Sequence, residues 1–148
     1  MKKYSVGYTT GVFDMFHIGH LNILRKAKEQ CDFLIVGVTT DELVAYKNKQ
    51  AIIPHKERIA IVESVKYVDK VVPQTSMDKL EAWNVYKFNA LFVGSDWKGT
   101  EKWNGYERQF REIGVDIVYF PYTAGTSSTQ LREVLQKILN NNVAISKE

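Results

Sequence analysis

Short apolar runs alternate with stretches in which apolar residues recur every three or four positions, and the alternation persists along the chain. Extended segments are expected at Tyr4–Thr10, Phe33–Thr39, Lys70–Val72, Ala90–Val93 and Asp116–Phe120. Phe33-Leu34-Ile35-Val36-Gly37-Val38 is almost continuously apolar, as in a parallel strand covered on both faces. Between these runs the period becomes helical. Ile23, Leu24, Ala27 and Cys31 share one face of the first helix. Ile59, Val62 and Val65 follow Pro54, a residue suited to a helix start. Trp103, Tyr106, Phe110 and Ile113 line a later helix, and Leu131, Val134, Leu135 and Ile138 the last. The Asn140-Asn141-Asn142 run and the residues after it read as a flexible tail, leaving one domain over 1–139 and a tail over 140–148. The alternation predicts an α/β fold: a single Rossmann-like doubly wound sheet of about five parallel strands with helices on both faces. Ligands of such sheets bind beyond the carboxyl ends of the strands, so the loops after strands are where chemistry is expected.

Bulk properties narrow the class. The 148 residues suit one domain with one sizeable core. A formal charge of +3, spread evenly, gives no reason to expect nucleic acid or a membrane surface as partner. Cys31 is the only cysteine and is expected to be buried on its helix, so no internal disulfide framework exists. No apolar run approaches the ~18 residues of a membrane span, and the first ten residues do not form a signal peptide. A cytoplasmic protein without a membrane partner is expected.

The first loop departs from generic composition. It reads Thr9-Thr10-Gly11-Val12-Phe13-Asp14-Met15-Phe16-His17-Ile18-Gly19-His20. Gly11 permits a sharp turn, and the helix that follows directs free N–H groups at the ligand crevice. His17 and His20, three apart at a helix start, share a face. Gly19 leaves room for a ligand to approach the backbone. Helix dipole, amides and two imidazoles together make an anion site. A closed zinc set is not visible, since only His55 offers a third imidazole, and no metal ligand is assigned. Neither a P-loop nor a G-x-G-x-x-G motif is present.

These residues resemble the T-x-G-x-F-D-x-x-H-x-G-H signature of the nucleotidyltransferase superfamily that contains the cytidylyltransferases. The resemblance implies that His17 and His20 contact the triphosphate and stabilise charge at the α-phosphate, with Val12, Phe13, Ile18 and Gly19 also lining the nucleotide. It runs over about residues 4–135 and is greatest to the glycerol-3-phosphate cytidylyltransferases. Lys47-Asn48-Lys49 resembles their K-x-K element, in which one lysine serves the acceptor and the other the triphosphate. Read alone, the pair is more often a solvated surface feature. Arg58 follows as part of an E-x-R helix start, matched without its spacer. Gly94-Ser95-Asp96-Trp97 resembles G-D-D-W, and Tyr122-Thr123-Ala124-Gly125-Thr126-Ser127-Ser128-Thr129 resembles R-T-E-G-I-S-T-T, which wraps the phosphates. Lys66–Val72 resembles the R-Y-V-D-E-V-I segment at that family's dimer contact. Val12 replaces Thr, Ser95 replaces Asp, and Tyr122 replaces Arg.

The resemblance therefore implies CMP transfer from CTP to a phosphorylated acceptor, with pyrophosphate release. Lys49 would join the histidines in catalysis; Asp96 and the 122–129 loop would serve the nucleotide. Lys47, Lys79 and Arg58 would bind the acceptor, and Mg²⁺ would enter bound through the phosphates. A homodimer through Lys66–Val72 is implied. Glycerol 3-phosphate ranks first as acceptor, with choline, ethanolamine, amino-acid and sugar phosphates open. An adenylyltransferase of the same superfamily, a non-catalytic nucleotide sensor and a structural subunit are the competing readings.

Overall fold

The computed structural model describes residues 2–46, 48–121, 125 and 127–146. The chain runs β1 (Tyr4–Gly11), α1 (Ile18–Gln30), β2 (Cys31–Thr39), α2 (Asp41–Tyr46), α3 (His55–Glu63), β3 (Lys70–Gln74) and α4 (Lys79–Tyr86). It continues with β4 (Ala90–Gly94), a single 3-10 turn (Ser95–Trp97), α5 (Glu101–Glu112), β5 (Asp116–Phe120) and α6 (Ser128–Ser146). The five strands form one parallel sheet in the order β3-β2-β1-β4-β5. Connections run outward from β1 to β3, then cross to β4 and β5. The order thus reverses between β1 and β4, where a crevice opens at the carboxyl ends.

Alternate side chains of the sheet feed two cores. Leu34, Val36 and Val38 of β2 join Leu24 and Ala27 of α1, Val62 of α3, and Phe92 and Phe120 on one face. Ile35, Tyr8, Leu91, Phe88, Trp103 and Phe110 fill the other. This two-sided burial is why β2 reads as an unbroken apolar run. Close approach is exacting at Gly7, where a Cβ would sit 2.8 Å from Cys31 Sγ and 2.5 Å from a Phe92 ring carbon.

Four expectations shift. Cys31 is buried, but it caps α1 and opens β2 in an extended conformation, paired with Tyr4. The strand ladder claims it before the helix can continue. Val65 and Ile113 lie just past their helices: Val65 still packs on the core, whereas Ile113 is exposed. The α6 stripe keeps its period, yet Val134, Leu135, Ile138 and Leu139 are all 41–57% exposed, over a hollow bordered by Gln50, Ala51 and Ile52. Finally, α6 continues through Asn140-Asn141-Asn142 to Ser146. Asparagine is only a few tenths of a kcal/mol worse than the good helix formers and does not by itself stop a helix.

Candidate active site

The site begins with a loop that the sheet cannot accommodate. After β1 the backbone coils through left-handed residues at Phe13 (φ 54°) and Met15 (φ 49°). This conformation disfavours L residues by roughly 1–2 kcal/mol each, and such strain persists only where neighbours over-determine it. Asp14 provides the restraint. Its buried carboxylate accepts from the amides of Ile52 (2.8 Å) and Ile53 (2.9 Å) and pairs with Arg132 of α6 at 3.0 Å. Its carbonyl accepts from Ser128 Oγ at 2.5 Å. Two distant segments, the loop before α3 and the start of α6, are thereby tied to one residue. Phe13, now buried, sets its ring 5.4 Å from that of His20.

The two histidines then start α1 by capping each other's backbone. Gly19 N–H donates to His17 Nδ1 at 3.1 Å, and His17 N–H donates to His20 Nδ1 at 3.2 Å. A backbone N–H can only donate, so each Nδ1 must be a lone pair and each neutral ring carries its proton on Nε2. Burial lowers the pKa of both rings; for His20 it falls to about 4, desolvation acting first and the neighbouring His17 second, with Asp14 opposing. The ring centroids are 4.0 Å apart, a spacing at which two imidazolium ions would repel strongly. At neutral pH the pair therefore offers two uncharged Nε2–H donors.

These donors border a crevice of three adjoining compartments that share lining residues. The first, about 300 Å³, is lined by His17, Gly19, His20, Ser95, Asp96, Ser127, Ser128 and Thr129, among others. The second, about 210 Å³, runs past Gly11, Val12, Phe13, Asp14, His20 and Arg132. A third, about 220 Å³, is walled by Thr10, Thr39, Gln74, Met77, Lys79, Trp97, Lys102, Trp103 and Tyr106. Gly94 borders all three. A Cβ on it would meet no atom within 4 Å and would project into the open passage.

Placement of the sequence candidates is uneven. His17, His20, Gly19, Val12, Phe13, Asp96, Ser127, Ser128, Thr129 and Lys79 all border the crevice. Ile18 opens α1 with an exposed side chain. Gly125, at φ 120°, lies in the loop before α6. Ser127 Oγ accepts from Gln130 N–H at 3.1 Å, a plain helix cap, and Ser128 is engaged with Asp14; two of the hydroxyls thus serve the fold. Lys79 Nζ donates to Thr10 Oγ1 at 2.7 Å in the third compartment. Lys47, Tyr122, Thr123 and Thr126 lie outside the described residues. Lys49 is exposed on the loop after α2 and lines none of the three compartments.

Arg58 requires a correction. It is 1% exposed, and its guanidinium donates to Ile53 O (2.8 Å), Val12 O (2.8 Å), Thr39 O (2.7 Å) and Asp41 Oδ1 (2.6 Å). Those carbonyls follow β1, end β2 and precede α3, so Arg58 ties together the backbone around the crevice rather than facing an acceptor. Four hydrogen bonds from one planar fork suit arginine and no other side chain. Sequence reasoning also missed Gln74, Met77, Lys102 and Arg132 as crevice residues, and read Trp103 and Tyr106 only as core. The available signal for Gln74 was its position closing a strand.

A parallel sheet with a polar crevice at its switch point, bordered by two neutral imidazole donors at a helix start, defines a nucleotidyltransferase. The match to the cytidylyltransferase-like family model spans residues 8–134, and the chain belongs to that family. It is 32% identical over 126 residues to the glycerol-3-phosphate cytidylyltransferase of Bacillus subtilis (strain 168), covering 84% of this chain and 92% of that protein. Identity to the enzyme of the same name from Staphylococcus aureus (strain NCTC 8325 / PS 47) is 35% over 129 residues, covering 86% and 92%. The FAD synthase of Archaeoglobus fulgidus is 30% identical over 130 residues, covering 88% and 94%. Among solved structures, a lipopolysaccharide core biosynthesis protein from Thermoplasma volcanium GSS1 superposes with a TM-score of 0.69 at 24% identity, covering 83% of this chain and 99% of that one. That likeness concerns the fold.

Proposed function

We propose that this enzyme transfers CMP from CTP to glycerol 3-phosphate, giving CDP-glycerol and pyrophosphate. The observation that carries the reading is a run of adjoining compartments, sharing Gly94, that extends from the His17/His20 donors to one lined by Lys79 and Lys102. An anionic acceptor with a neutral, hydroxylated remainder suits that compartment. A cationic head group would meet aromatic faces at Trp97 and Tyr106 but, among the described lining residues of that compartment, two lysines and no carboxylate. The relatives named for glycerol 3-phosphate support the same choice.

The acceptor's phosphate oxygen attacks the α-phosphorus, the α–β phosphoanhydride bond breaks, and pyrophosphate leaves. An anionic phosphate monoester needs no strong general base. The protein's tasks are alignment and stabilisation of charge on the phosphoryl oxygens. Neutral Nε2–H groups on His17 and His20 perform the second without adding a mobile proton. Mg²⁺ is proposed as a companion of the nucleotide. Among the described residues no group of three or more His, Cys, Asp or Glu forms a metal cage, and Asp14 is fully engaged, so Asp96 is the one crevice carboxylate free to assist. Such an ion would neutralise triphosphate charge.

A homodimer through Lys66–Val72 also belongs to this reading. The segment includes the start of β3, an outer strand of the sheet. A cytoplasmic setting fits too; no helix among the described residues is long and apolar enough to cross a membrane. Pyrophosphate release is measured with CTP or ATP and a panel of glycerol, ethanolamine and choline phosphates. CTP with glycerol 3-phosphate should give the highest kcat/KM. Turnover with ATP at or above the CTP rate would overturn the nucleotide assignment, and a preference for an amine-bearing phosphate would overturn the acceptor.

A further inference from the structure

The inner wall of the third compartment contains a buried amide whose hydrogen bonding is only partly used. Gln74 closes β3 and is 5% exposed. Thr39 Oγ1 donates to its Oε1 at 2.6 Å, and its Nε2 donates to Ser76 O at 3.2 Å. A carbonyl can only accept, so the Ser76 contact fixes which end of the amide carries nitrogen. The remaining N–H is directed at Met77 Sδ, 3.6 Å away, and a thioether is a weak acceptor. Oε1 keeps a second lone pair. Buried amides ordinarily satisfy both N–H groups with oxygen partners.

We infer that Gln74 is a specificity-determining residue whose amide reads the hydroxyl groups of the phosphorylated acceptor. The inference rests on the third compartment being the acceptor site. A substrate hydroxyl both donates and accepts, so one such group can take the N–H now spent on sulfur and donate to the free Oε1 lone pair. Met77, unbranched and adaptable, yields its place at small cost. Lys79 and Lys102 border the same compartment and suit the phosphate end. The wall thus separates two recognition tasks: ammonium groups for the charge, a neutral amide for the polyol.

The test compares glycerol 3-phosphate with propyl phosphate, which has the same carbon count and no hydroxyls. Turnover is measured with CTP, and binding of each phosphate by calorimetry without nucleotide, in the wild type, Gln74→Met and Gln74→Glu. The wild type should prefer glycerol 3-phosphate by about tenfold or more. Gln74→Met should bring that preference close to one while leaving KM for CTP unchanged. Gln74→Glu should lower it too, because a carboxylate still accepts from the substrate hydroxyl and Thr39 but has no N–H for the hydroxyl or for Ser76 O. Retention of the wild-type preference in Gln74→Met would overturn the inference, as would a parallel loss of both phosphates and CTP in both variants, which marks a structural role. Equal binding of the two phosphates to the wild type would also overturn it. If binding discriminates through Gln74 but CTP and glycerol 3-phosphate give no product, the proposed reaction fails and the role of Gln74 stands.

Discussion

His17 offers a way to separate catalysis from folding within one side chain. Its Nδ1 accepts the Gly19 amide at 3.1 Å, while its Nε2–H is the donor assigned to the phosphates. His17→Ala removes both. Losing an N-cap destabilises a helix by about 1 kcal/mol, which for a chain of this size lowers Tm by roughly 2–4 °C. Losing one preorganised donor to a developing oxyanion raises the barrier by about 3 kcal/mol, or roughly 10²-fold in kcat. His17→Asn divides the two effects. Asparagine is among the best N-caps, so its Oδ1 can accept from Gly19, but its shorter amide does not reach where Nε2–H stands. Thermal melts should therefore rank wild type and His17→Asn together above His17→Ala. Pyrophosphate-release kinetics should place both variants about 10²-fold below wild type in kcat. Wild-type turnover in His17→Asn would refute the donor assignment, and an unchanged Tm in His17→Ala would refute the cap.

The His20 pKa lies at about 4 in the folded protein against an ordinary 6.5. Between those values the unfolded chain binds the extra proton, so this group's stabilisation is complete above pH 6.5 and is lost as pH falls towards 4. Urea midpoints should decline across that window, and an imidazole NMR titration of His20 centred at or above 6.5 would contradict the buried neutral ring. Arg58→Ala should destabilise by about 3 kcal/mol, since it leaves three backbone carbonyls and Asp41 without their donor; a shift in the urea midpoint equivalent to under about 0.5 kcal/mol, the range of an ordinary surface change, would show the strut to be dispensable. Light scattering should give twice the 17.0 kDa chain mass, and a mass of one chain at micromolar concentration would exclude the dimer.

Much of the sheet was legible because its signals are local. β2 reads as a buried strand from six adjacent residues, and β5 has the bounds its apolar run suggests. The α1/β2 boundary was not, since Cys31 suits the helix face by angle and is taken by its pairing with Tyr4. The histidine pair was legible from spacing alone, but its protonation was not: that follows from which backbone N–H meets which Nδ1. Arg58 and Asp14 illustrate the limit. Each is a single polar residue whose partners lie up to 46 and 118 positions away, and nothing in a sequence window distinguishes a buried strut from a ligand contact. The α6 stripe shows the converse, a periodic apolar face that the chain itself leaves half-exposed.

The two rings proposed as donors also hold the bonds that begin α1, so the order of the site is tied to that of the first helical turn. Fraying of that turn would free the Nδ1 lone pairs and loosen both rings at the edge of the crevice. On the proposed reading, competence would then depend on how often that turn opens locally rather than on global unfolding. The Gly19 amide reports the His17 end of that opening: its hydrogen-exchange rate measures how often its bond to Nδ1 is broken.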